Sequence, residues 1–307
     1  MPKVDKSETP ATLKPYYFQG VILNWSKGDD NAYGECPWCG SDKFSVRVED
    51  GLWQCWVCGE GGDKGGGNTT TFLRLLQAKS FEATTSEDYE ELAASRGISV
   101  PTLVSWGVCR SIVNKNWLVP AGCSKGGDFT QLYRWVKTPT GHNLLPTPTM
   151  GSYMFGHSLL NKKNQSIFIC EGPWDAMTLW EFLKETGTKK TSVIGVPGVN
   201  NFHESWFPYF YKKKVNIAFD SDHPKVRCKS CRKTRLHTQE LCVCGSADHF
   251  AKLIEPPGLR GVKRIAGLLN GCANPPVEIN FCEWGPDGYD PTLPSGTDAR
   301  DYLTGKC

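Results

Sequence analysis

The sequence predicts an α/β protein in three parts: a β-rich amino-terminal part, a mixed and basic middle part, and a carboxy-terminal α/β domain. Three observations support this prediction. Two close cysteine pairs flank alternating, strand-like segments near the amino terminus, and two short apolar runs in the carboxy-terminal half each end in carboxylates. A stretch with helical character lies between those two runs.

Composition sets the broad class of the protein. The chain has 307 residues, of which 39% are hydrophobic and 11% aromatic, enough for two or three domains with their own cores. The formal net charge of +3 is a weak argument for an anionic partner. The first twenty residues are polar, and no run of eighteen apolar residues occurs. We therefore expect a soluble protein of the cytoplasm, without a membrane partner.

Residues 1–80 are predicted to form an all-β zinc ribbon. Two Cys-x-x-Cys pairs lie fifteen residues apart and offer four thiolates, the set of a closed tetrahedral zinc site: Cys36, Cys39, Cys55 and Cys58. Between the pairs, residues 43–48 and 52–54 alternate like the strands of a hairpin. Residues 69–77 favour a short helix capped by Thr70 or Thr71.

The predicted ribbon is rich in aromatic and basic residues. We expect an exposed face that stacks on single-strand bases and holds phosphates, built from Trp38, Phe44, Trp53 and Trp56 with Lys43 and Arg47. In residues 81–165 we expect a linker, small helices at 89–96 and 100–107, and strands at 117–120 and 129–136. The phosphate-loop motif Gly-x-x-x-x-Gly-Lys-Ser/Thr is absent, so this sequence contains no predicted ATPase motor.

The carboxy-terminal part, residues 166–307, is predicted to hold a catalytic sheet. The apolar runs 167–170 and 215–219 favour buried strands, which end in Glu171 and in Asp220 and Asp222. Open α/β sheets bind ligands at the carboxyl ends of their strands. Three carboxylates at one edge repel each other unless a cation lies among them, and oxygen ligands suit Mg²⁺. We therefore interpret these three carboxylates as a phosphoryl-transfer site.

A second set of cysteines directly follows the acidic residues. We predict a zinc-binding insertion at residues 223–255, with Cys228, Cys231, Cys242 and Cys244 as ligands and His237 or His249 as possible replacements for one of them. Residues 225–235 contain six basic and no acidic residues, including Arg232 and Lys233. Such a segment suits a clamp on nucleic acid. The alternative is that zinc only holds a long loop closed.

Three segments of the sequence resemble known families. The run Glu171-Gly172-Pro173-Trp174-Asp175-Ala176, followed by Asp220-Ser221-Asp222, resembles the Toprim domain of DnaG-like primases, type IA and II topoisomerases and some nucleases. Residues 33–63 resemble the amino-terminal zinc-binding domain of DnaG-like primases, and four cysteines are typical of the primase half of phage primase-helicases. Residues 296–303 resemble the Lys-Asp-Ala-Asn-Asp phrase of primases, although Thr297 stands where lysine is common.

The resemblance implies a DNA primase that copies single-stranded DNA into short RNA primers from ribonucleoside triphosphates. Glu171, Asp220 and Asp222 would hold Mg²⁺ or Mn²⁺, and Glu171 could transfer a proton. Asp298 could join this metal cluster or cap the last helix. Residues 81–165 would then be a basic RNA-polymerase subdomain, with Lys115 and Arg134 as phosphate contacts.

The resemblance also implies a replicative helicase as partner, either a separate protein or a missing carboxy-terminal half, and a bacterial host cell if a phage encodes the protein. Two other functions stay open. A Toprim nuclease would share the acidic cluster and cleave DNA without added nucleotides. A non-catalytic replication or anti-restriction protein would keep the zinc modules for DNA binding alone, although it would have no need to hold carboxylates together.

Overall fold

The computed structural model describes residues 9–60, 65–122, 129–139, 141–281 and 289–303. The chain divides into two compact units, Met1–Ser158 and Leu159–Cys307. The predicted α/β class is confirmed, with an antiparallel amino-terminal sheet that carries a four-cysteine cluster. The finer division into residues 1–80, 81–165 and 166–307 stays a prediction.

The first unit begins with a five-stranded antiparallel sheet in the order β1-β2-β3-β4-β5. Its strands are β1 (Leu23–Asn24), β2 (Asn31–Gly34), β3 (Phe44–Arg47), β4 (Trp53–Cys55) and β5 (Gly66–Gly67). Three helices accompany the sheet: α1 (Lys14–Phe18), α2 (Trp56–Glu60) and α3 (Thr69–Ala83). Tyr16 of α1 and Phe72 of α3 are fully buried in the core of this sheet.

The predicted hairpin between the cysteine pairs is confirmed as β3 and β4, which pair Val46 with Trp53 and Phe44 with Cys55. Its turn closes at Gly51, whose φ of 71° favours glycine. The predicted helix after it is longer than expected and ends at Ala83. Its cap is Asn68, whose side chain accepts from the Thr71 amide at 2.9 Å, so the prediction of Thr70 or Thr71 as cap was wrong.

The rest of the first unit holds two helices and five antiparallel strands: α4 (Ser86–Arg96), α5 (Val100–Ser105), β6 (Cys109–Arg110), β7 (Trp117–Gly122), β8 (Gln131–Thr138), β9 (Gly141–Pro146) and β10 (Met154–Phe155). Strands β7 and β8 confirm the predicted pair and set Leu118 opposite Arg134. Helix α4 begins with a capping box between Thr85 and Asp88 and ends at Gly97 in the left-handed conformation.

The second unit is built on a parallel sheet in the order β16-β13-β11-β12. Its main elements are β11 (Ser166–Cys170), α6 (Pro173–Glu185), β12 (Thr191–Gly195), β13 (Lys214–Ala218), α7 (Pro257–Asn270), β16 (Glu278–Phe281) and α8 (Ala299–Leu303). The inserted segment contributes a separate two-stranded sheet of β14 (Lys225–Arg227) and β15 (Thr234–Leu236). Within the described ranges, no helix has both the length and the apolar character needed to cross a membrane.

Candidate functional site

The acidic residues meet because two parallel strands pair in register. Cys170 at the end of β11 lies opposite Ala218 at the end of β13, so Glu171 and Asp220 leave the sheet at the same edge. Gly195 lets the neighbouring loop approach, since a Cβ there would lie 2.5 Å from the carbonyl oxygen of Gly172. The sheet edge is therefore where the predicted carboxylates are brought together.

The second acidic segment is held by the first turn of α7. The amide of Gly258 donates to Oδ2 of Asp222 at 3.1 Å. A side chain at position 258 would have its Cβ 2.6 Å from the carbonyl oxygen of Asp220, so only glycine allows the helix to come this close. A helix amino terminus also favours a nearby negative charge. Asp222 is thus oriented while its other oxygen remains available.

Burial and mutual repulsion dominate the electrostatics of this edge. Burial, with the negative charges of Asp222 and Asp298, raises the pKa of Glu171 to about 7, although the backbone amide of Asp220 lowers it. Burial raises the pKa of Asp220 to about 10, and the charges of Glu171, Asp175, Asp298 and Asp222 add to the shift. Raised pKa values of this kind mean that the negative charges of the ionised carboxylates are not fully compensated by nearby positive charge.

One carboxylate oxygen shows this lack directly. Within the described part of the chain, Oε2 of Glu171 is buried and has no hydrogen-bond partner. A buried polar atom without a partner costs about 1–3 kcal/mol, and more when it is charged. A cation bound among Glu171, Asp220 and Asp222 would supply the missing interaction and would favour the ionised carboxylates.

The carboxylates do not form a closed ligand shell by themselves. Among the described residues, the groups whose ligand atoms all lie within 4.8 Å of one another are the two cysteine clusters, so at least one pair of carboxylates is farther apart. Mg²⁺ usually keeps several waters and binds to one or two carboxylates together with substrate phosphates. Binding of Mg²⁺ by Glu171, Asp220 and Asp222 stays a prediction.

Asp298 comes close to the cluster through a short backbone pairing. The amide of Ser221 donates to the carbonyl of Thr297 at 2.8 Å, and the amide of Gly296 donates back to Ser221 at 3.0 Å. Oδ1 of Asp298 accepts from the Asp301 amide at 2.7 Å. The cap at the start of α8, one of the two predicted alternatives, is therefore present, and the role of Asp298 as a metal ligand stays a prediction.

Arg300 is a member of this region that the sequence reasoning missed. Its Nη2 donates to Oδ2 of Asp298 at 3.0 Å and to Oδ1 of Asp301 at 3.1 Å. Although burial lowers the pKa of Arg300, the carboxylates of Asp298, Asp175 and Asp301 raise it above its usual value. Arg300 therefore compensates part of the negative charge beside Asp298. It does not supply a partner for Oε2 of Glu171, which has none in the described part of the chain.

The four predicted ribbon ligands are brought together. The sulfur atoms of Cys36, Cys39, Cys55 and Cys58 all lie within 4.8 Å of one another. Cys36 Sγ lies 3.8 Å from Cys58 Sγ, and Cys39 Sγ lies 3.7 Å from Cys55 Sγ. Four sulfurs at about 2.3 Å from a tetrahedral zinc are about 3.8 Å apart. The cluster therefore fits zinc.

The second cysteine cluster has the same character. Cys228, Cys231, Cys242 and Cys244 form the other group within 4.8 Å, with sulfur pairs at 3.6 and 3.5 Å. His237 instead approaches the carbonyl of Pro224 and the hydroxyl of Tyr289, both at 3.2 Å. His249 lies 3.3 Å from a guanidinium nitrogen of Arg235. Neither histidine belongs to the group, so the four cysteines are the set that fits zinc.

The predicted aromatic face of the ribbon is only partly exposed. Phe44 and Trp53 are buried at 0% and 3% exposure, because both point from the hairpin towards Phe72 of α3. The prediction that these two rings stack on bases was wrong. Trp38 is half-buried and packs edge-on against Trp53 at a ring distance of 5.3 Å. Trp56 is the ring of this set that is exposed, at 62%.

The predicted basic contacts of the first unit differ in their surroundings. Lys43 is exposed near Asp42, and Arg47 is exposed but paired with Asp50. Lys115 is exposed, with a φ of 60°.

Arg134 is half-buried, and its guanidinium lies 4.2 Å from the ring centre of Phe18 and donates to the carbonyl of that residue. Its contact with Phe18 is a packing interaction. Contacts of Lys43, Arg47, Lys115 and Arg134 with nucleic acid stay predictions.

Sequence reasoning also missed a groove on the outer face of the ribbon sheet. Its lining includes Ser45, Arg47 and Gln54, which point away from the core by the alternation of β3 and β4, and the exposed Trp56 at the start of α2. The period-2 pattern could have separated this face from the buried one.

No protein-family model matches the sequence, and no curated protein matches it. Among solved structures, the chain is similar to the primase fragment of the bacteriophage T7 primase-helicase, at 16% identity and a TM-score of 0.44 over 92% of this chain and 96% of that chain. It is also similar to a chain in a bacteriophage T7 lagging-strand DNA polymerase complex with primase domains, an RNA/DNA hybrid and dTTP, at 16% identity and a TM-score of 0.44. That match covers 69% of this chain and 84% of the other.

A third similar structure is the DnaG catalytic core, at 11% identity and a TM-score of 0.46 over 76% of this chain and 73% of that chain. Similarities of this degree concern the fold, and we derive the function from the residues of the site.

Proposed function

We propose that the protein is a DNA primase that synthesises short RNA primers on single-stranded DNA from ribonucleoside triphosphates. The observation that supports this most is the buried Oε2 of Glu171, which has no partner in the described part of the chain and lies in a cluster with Asp220 and Asp222. A parallel sheet that ends in such a cluster suits a divalent cation and phosphate chemistry.

Each carboxylate has its own part in the proposed site. A bound Mg²⁺ would neutralise the triphosphate and lower the pKa of the attacking 3′ hydroxyl. Glu171, Asp220 and Asp222 hold the cation, and the Gly258 amide fixes the orientation of Asp222. Holding the carboxylates on strand ends keeps the reacting groups in one geometry, which is the main contribution of a protein to phosphoryl transfer.

Glu171 is also the candidate for proton transfer. Burial and the charges of Asp222 and Asp298 raise its pKa, which makes it a better proton acceptor than an ordinary glutamate, and a bound cation would lower that pKa again. In this proposal Glu171 would accept the proton of the attacking hydroxyl, while Asp220 and Asp222 would remain ligands of the cation. The proton then leaves to solvent, and pyrophosphate leaves from the incoming nucleotide.

The first unit is proposed to bind the template. Trp56 and Arg47 line the groove on the outer face of the ribbon, where an exposed ring and a cation suit a splayed single strand. Lys43 and Lys115 are exposed and suit phosphate contacts. A replicative helicase is the proposed protein partner, because primers are needed where duplex DNA is opened.

The test is a synthesis assay with the zinc-loaded protein. Single-stranded DNA of mixed sequence, labelled ribonucleotides and Mg²⁺ are expected to yield short labelled RNA that carries a 5′ triphosphate, and none without the template. The same reaction without nucleotides, with labelled DNA, tests the nuclease alternative. Cleavage of the DNA with no RNA on any template would contradict the primase and favour the nuclease.

A further inference from the structure

The inserted segment, residues 223–255, has a basic outer face that the proposed chemistry does not use. Strand β14 (Lys225–Arg227) buries Val226 and exposes Lys225 and Arg227, and the exposed Lys229 follows in the turn after the buried Cys228. Alternate residues of a strand are about 6.6 Å apart, comparable with successive phosphates of an extended single strand. Two positive charges therefore lie on one face of β14, and a third lies in the turn that follows it.

The cysteine cluster holds two more basic residues beside these three. Arg232 and Lys233 are exposed in the turn after Cys231, and Arg232 has a φ of 63°. Nε of Arg227 donates to the carbonyl of Arg232 at 3.0 Å, and the Cys228 amide donates to the carbonyl of Lys233 at 2.9 Å. Zinc bound to the four thiolates would fix this turn, and with it the position of both side chains.

An exposed ring lies next to the basic residues. Phe250 is 37% exposed, and the guanidinium carbon of Arg232 lies 4.9 Å from its ring centre. The amide of Phe250 donates to the carbonyl of Arg227 at 2.9 Å, which ties the ring to β14. An aromatic ring flanked by cations is the arrangement that binds single strands, because bases of a single strand are free to stack.

The charge of this face exceeds what the zinc site itself would need. In the described ranges, none of the five basic side chains forms an ion pair, whereas Lys214 and Lys263 elsewhere in the unit pair with Glu278 and Glu255. Zinc with four thiolates has a net charge of minus two. Residues 223–255 contain seven basic and three acidic residues, so about two positive charges remain beyond those of the zinc centre for an external anion. Of the other two basic residues, Arg235 is buried and donates to the carbonyl of Ala247.

The insertion starts directly beside the acidic cluster. Its first residue, His223, follows Asp222 and is anchored by its amide to the hydroxyl of Ser295 at 2.9 Å. The pairing of Lys225 with Ile254 closes the inserted segment at its base. Because the start of β14 is tied in this way, its basic face is a fixed surface near the carboxylates and not a loose loop.

We propose that the outer face of the insertion binds single-stranded DNA. Lys225, Arg227 and Lys229 contact successive phosphates, Arg232 and Lys233 extend this contact, and Phe250 stacks on a base. The role of this strand as the template rests on the proposed primase function, whereas the binding itself does not. The insertion would then hold the strand close to the carboxylates that act on the incoming nucleotide.

The test measures DNA binding by the full, zinc-loaded chain without Mg²⁺ or nucleotides. Fluorescence anisotropy of a labelled oligonucleotide of mixed sequence is followed at several salt concentrations. Combined replacement Lys225→Gln, Arg227→Gln and Lys229→Gln is expected to weaken binding at least about tenfold in low salt. The slope of log affinity against log salt should become shallower by about two, since each lost phosphate contact on a single strand contributes about 0.7.

A matched control removes the same charge from the same unit but from another surface. Lys162→Gln, Lys163→Gln and Lys189→Gln replace three exposed lysines outside the insertion and should leave the slope unchanged. Equal slopes for the two triple variants and the wild type would overturn the proposal. Zinc content of two per chain verifies the fold of each variant. If the first variant loses zinc, Arg232→Gln with Lys233→Gln supplies the same test, with an expected slope change of about 1.4.

Phe250→Leu separates stacking from charge. It should weaken the binding of single-stranded DNA several-fold without changing the salt slope, because no phosphate contact is lost. Equal competition by unlabelled duplex DNA would contradict the assignment to a single strand. Because no step needs nucleotides, failure of RNA synthesis in the wild type would remove the primase function and leave this binding result intact.

Discussion

Replacement of Asp220 by asparagine is expected to reduce the rate of primer synthesis by roughly 10³-fold, equivalent to about 4 kcal/mol of transition-state stabilisation. Asp220 has carboxylate neighbours from β11, α6 and the segment before α8, which makes it the most central residue of the cluster. Asparagine keeps the shape of the aspartate side chain. It lacks the negative charge that would hold the cation, and it has one oxygen ligand fewer. The rate is measured as labelled RNA formed per time on single-stranded DNA.

The control for this loss is Glu185→Gln, which removes one charge from an exposed position at the carboxyl end of α6 in the same unit and should retain the wild-type rate. Binding of single-stranded DNA without Mg²⁺ should be the same in both variants, since Asp220 is not expected to contact the template. A residual rate in the Asp220 variant within threefold of the wild type would show that the carboxylate cluster is not the catalytic centre.

Loss of the ribbon zinc is expected to have the largest effect on stability. In Cys55→Ser, the zinc content should fall from two to one per chain, and the ribbon should unfold, because structural zinc contributes about 10 kcal/mol or more to folding of small zinc domains. Cys55 lies in β4 between two neighbouring strands and is fully buried, so the change disrupts both the zinc site and the ribbon core. Metal analysis, tryptophan fluorescence and limited proteolysis measure these effects.

Cys272→Ser is the matched control, because Cys272 lies at the end of α7 and outside both cysteine clusters. It should keep two zinc ions and the proteolysis pattern of the wild type. Cys242→Ser should also lower the zinc content to one, but with cleavage confined to the inserted segment. Two zinc ions retained in Cys55→Ser would contradict the assignment of the first cluster.

The cysteine ligands and acidic residues could be predicted because their signals are local. The Cys-x-x-Cys spacing of Cys36 and Cys39 places two sulfurs in one knuckle, and a strand that is followed by Glu171 presents this carboxylate at the carboxyl end of the sheet. The apolar, β-branched character of the two runs predicted buried strands, which the structure shows as β11 and β13, paired in parallel. These features depend on a few neighbouring residues and not on the packing of distant ones.

The features that could not be predicted depend on packing between residues far apart in the sequence. Whether Trp53 faces solvent depends on α3, which covers one face of the hairpin through Phe72, and the hairpin alone does not reveal which face is covered. The partners of Arg300 are close in sequence, but its position beside the acidic cluster depends on the pairing of Ser221 with Thr297, 76 positions apart along the chain. The same holds for Gly258, whose approach to Asp220 needs the whole insertion between them.

Binding of Mn²⁺ to the metal-free carboxylate cluster tests the central claim most directly. Because the pKa of Glu171 is raised to about 7 and that of Asp220 to about 10, a cation must displace protons from both carboxyls at pH 6, whereas at pH 8 Glu171 has already lost most of its proton. The zinc-loaded wild type should therefore bind Mn²⁺ at least about tenfold more tightly at pH 8 than at pH 6, as measured by electron paramagnetic resonance of the free ion. Glu171→Gln should bind it much more weakly at pH 8. Equal affinity of the wild type and Glu171→Gln at pH 8 would contradict the assignment of this edge as a divalent-cation site.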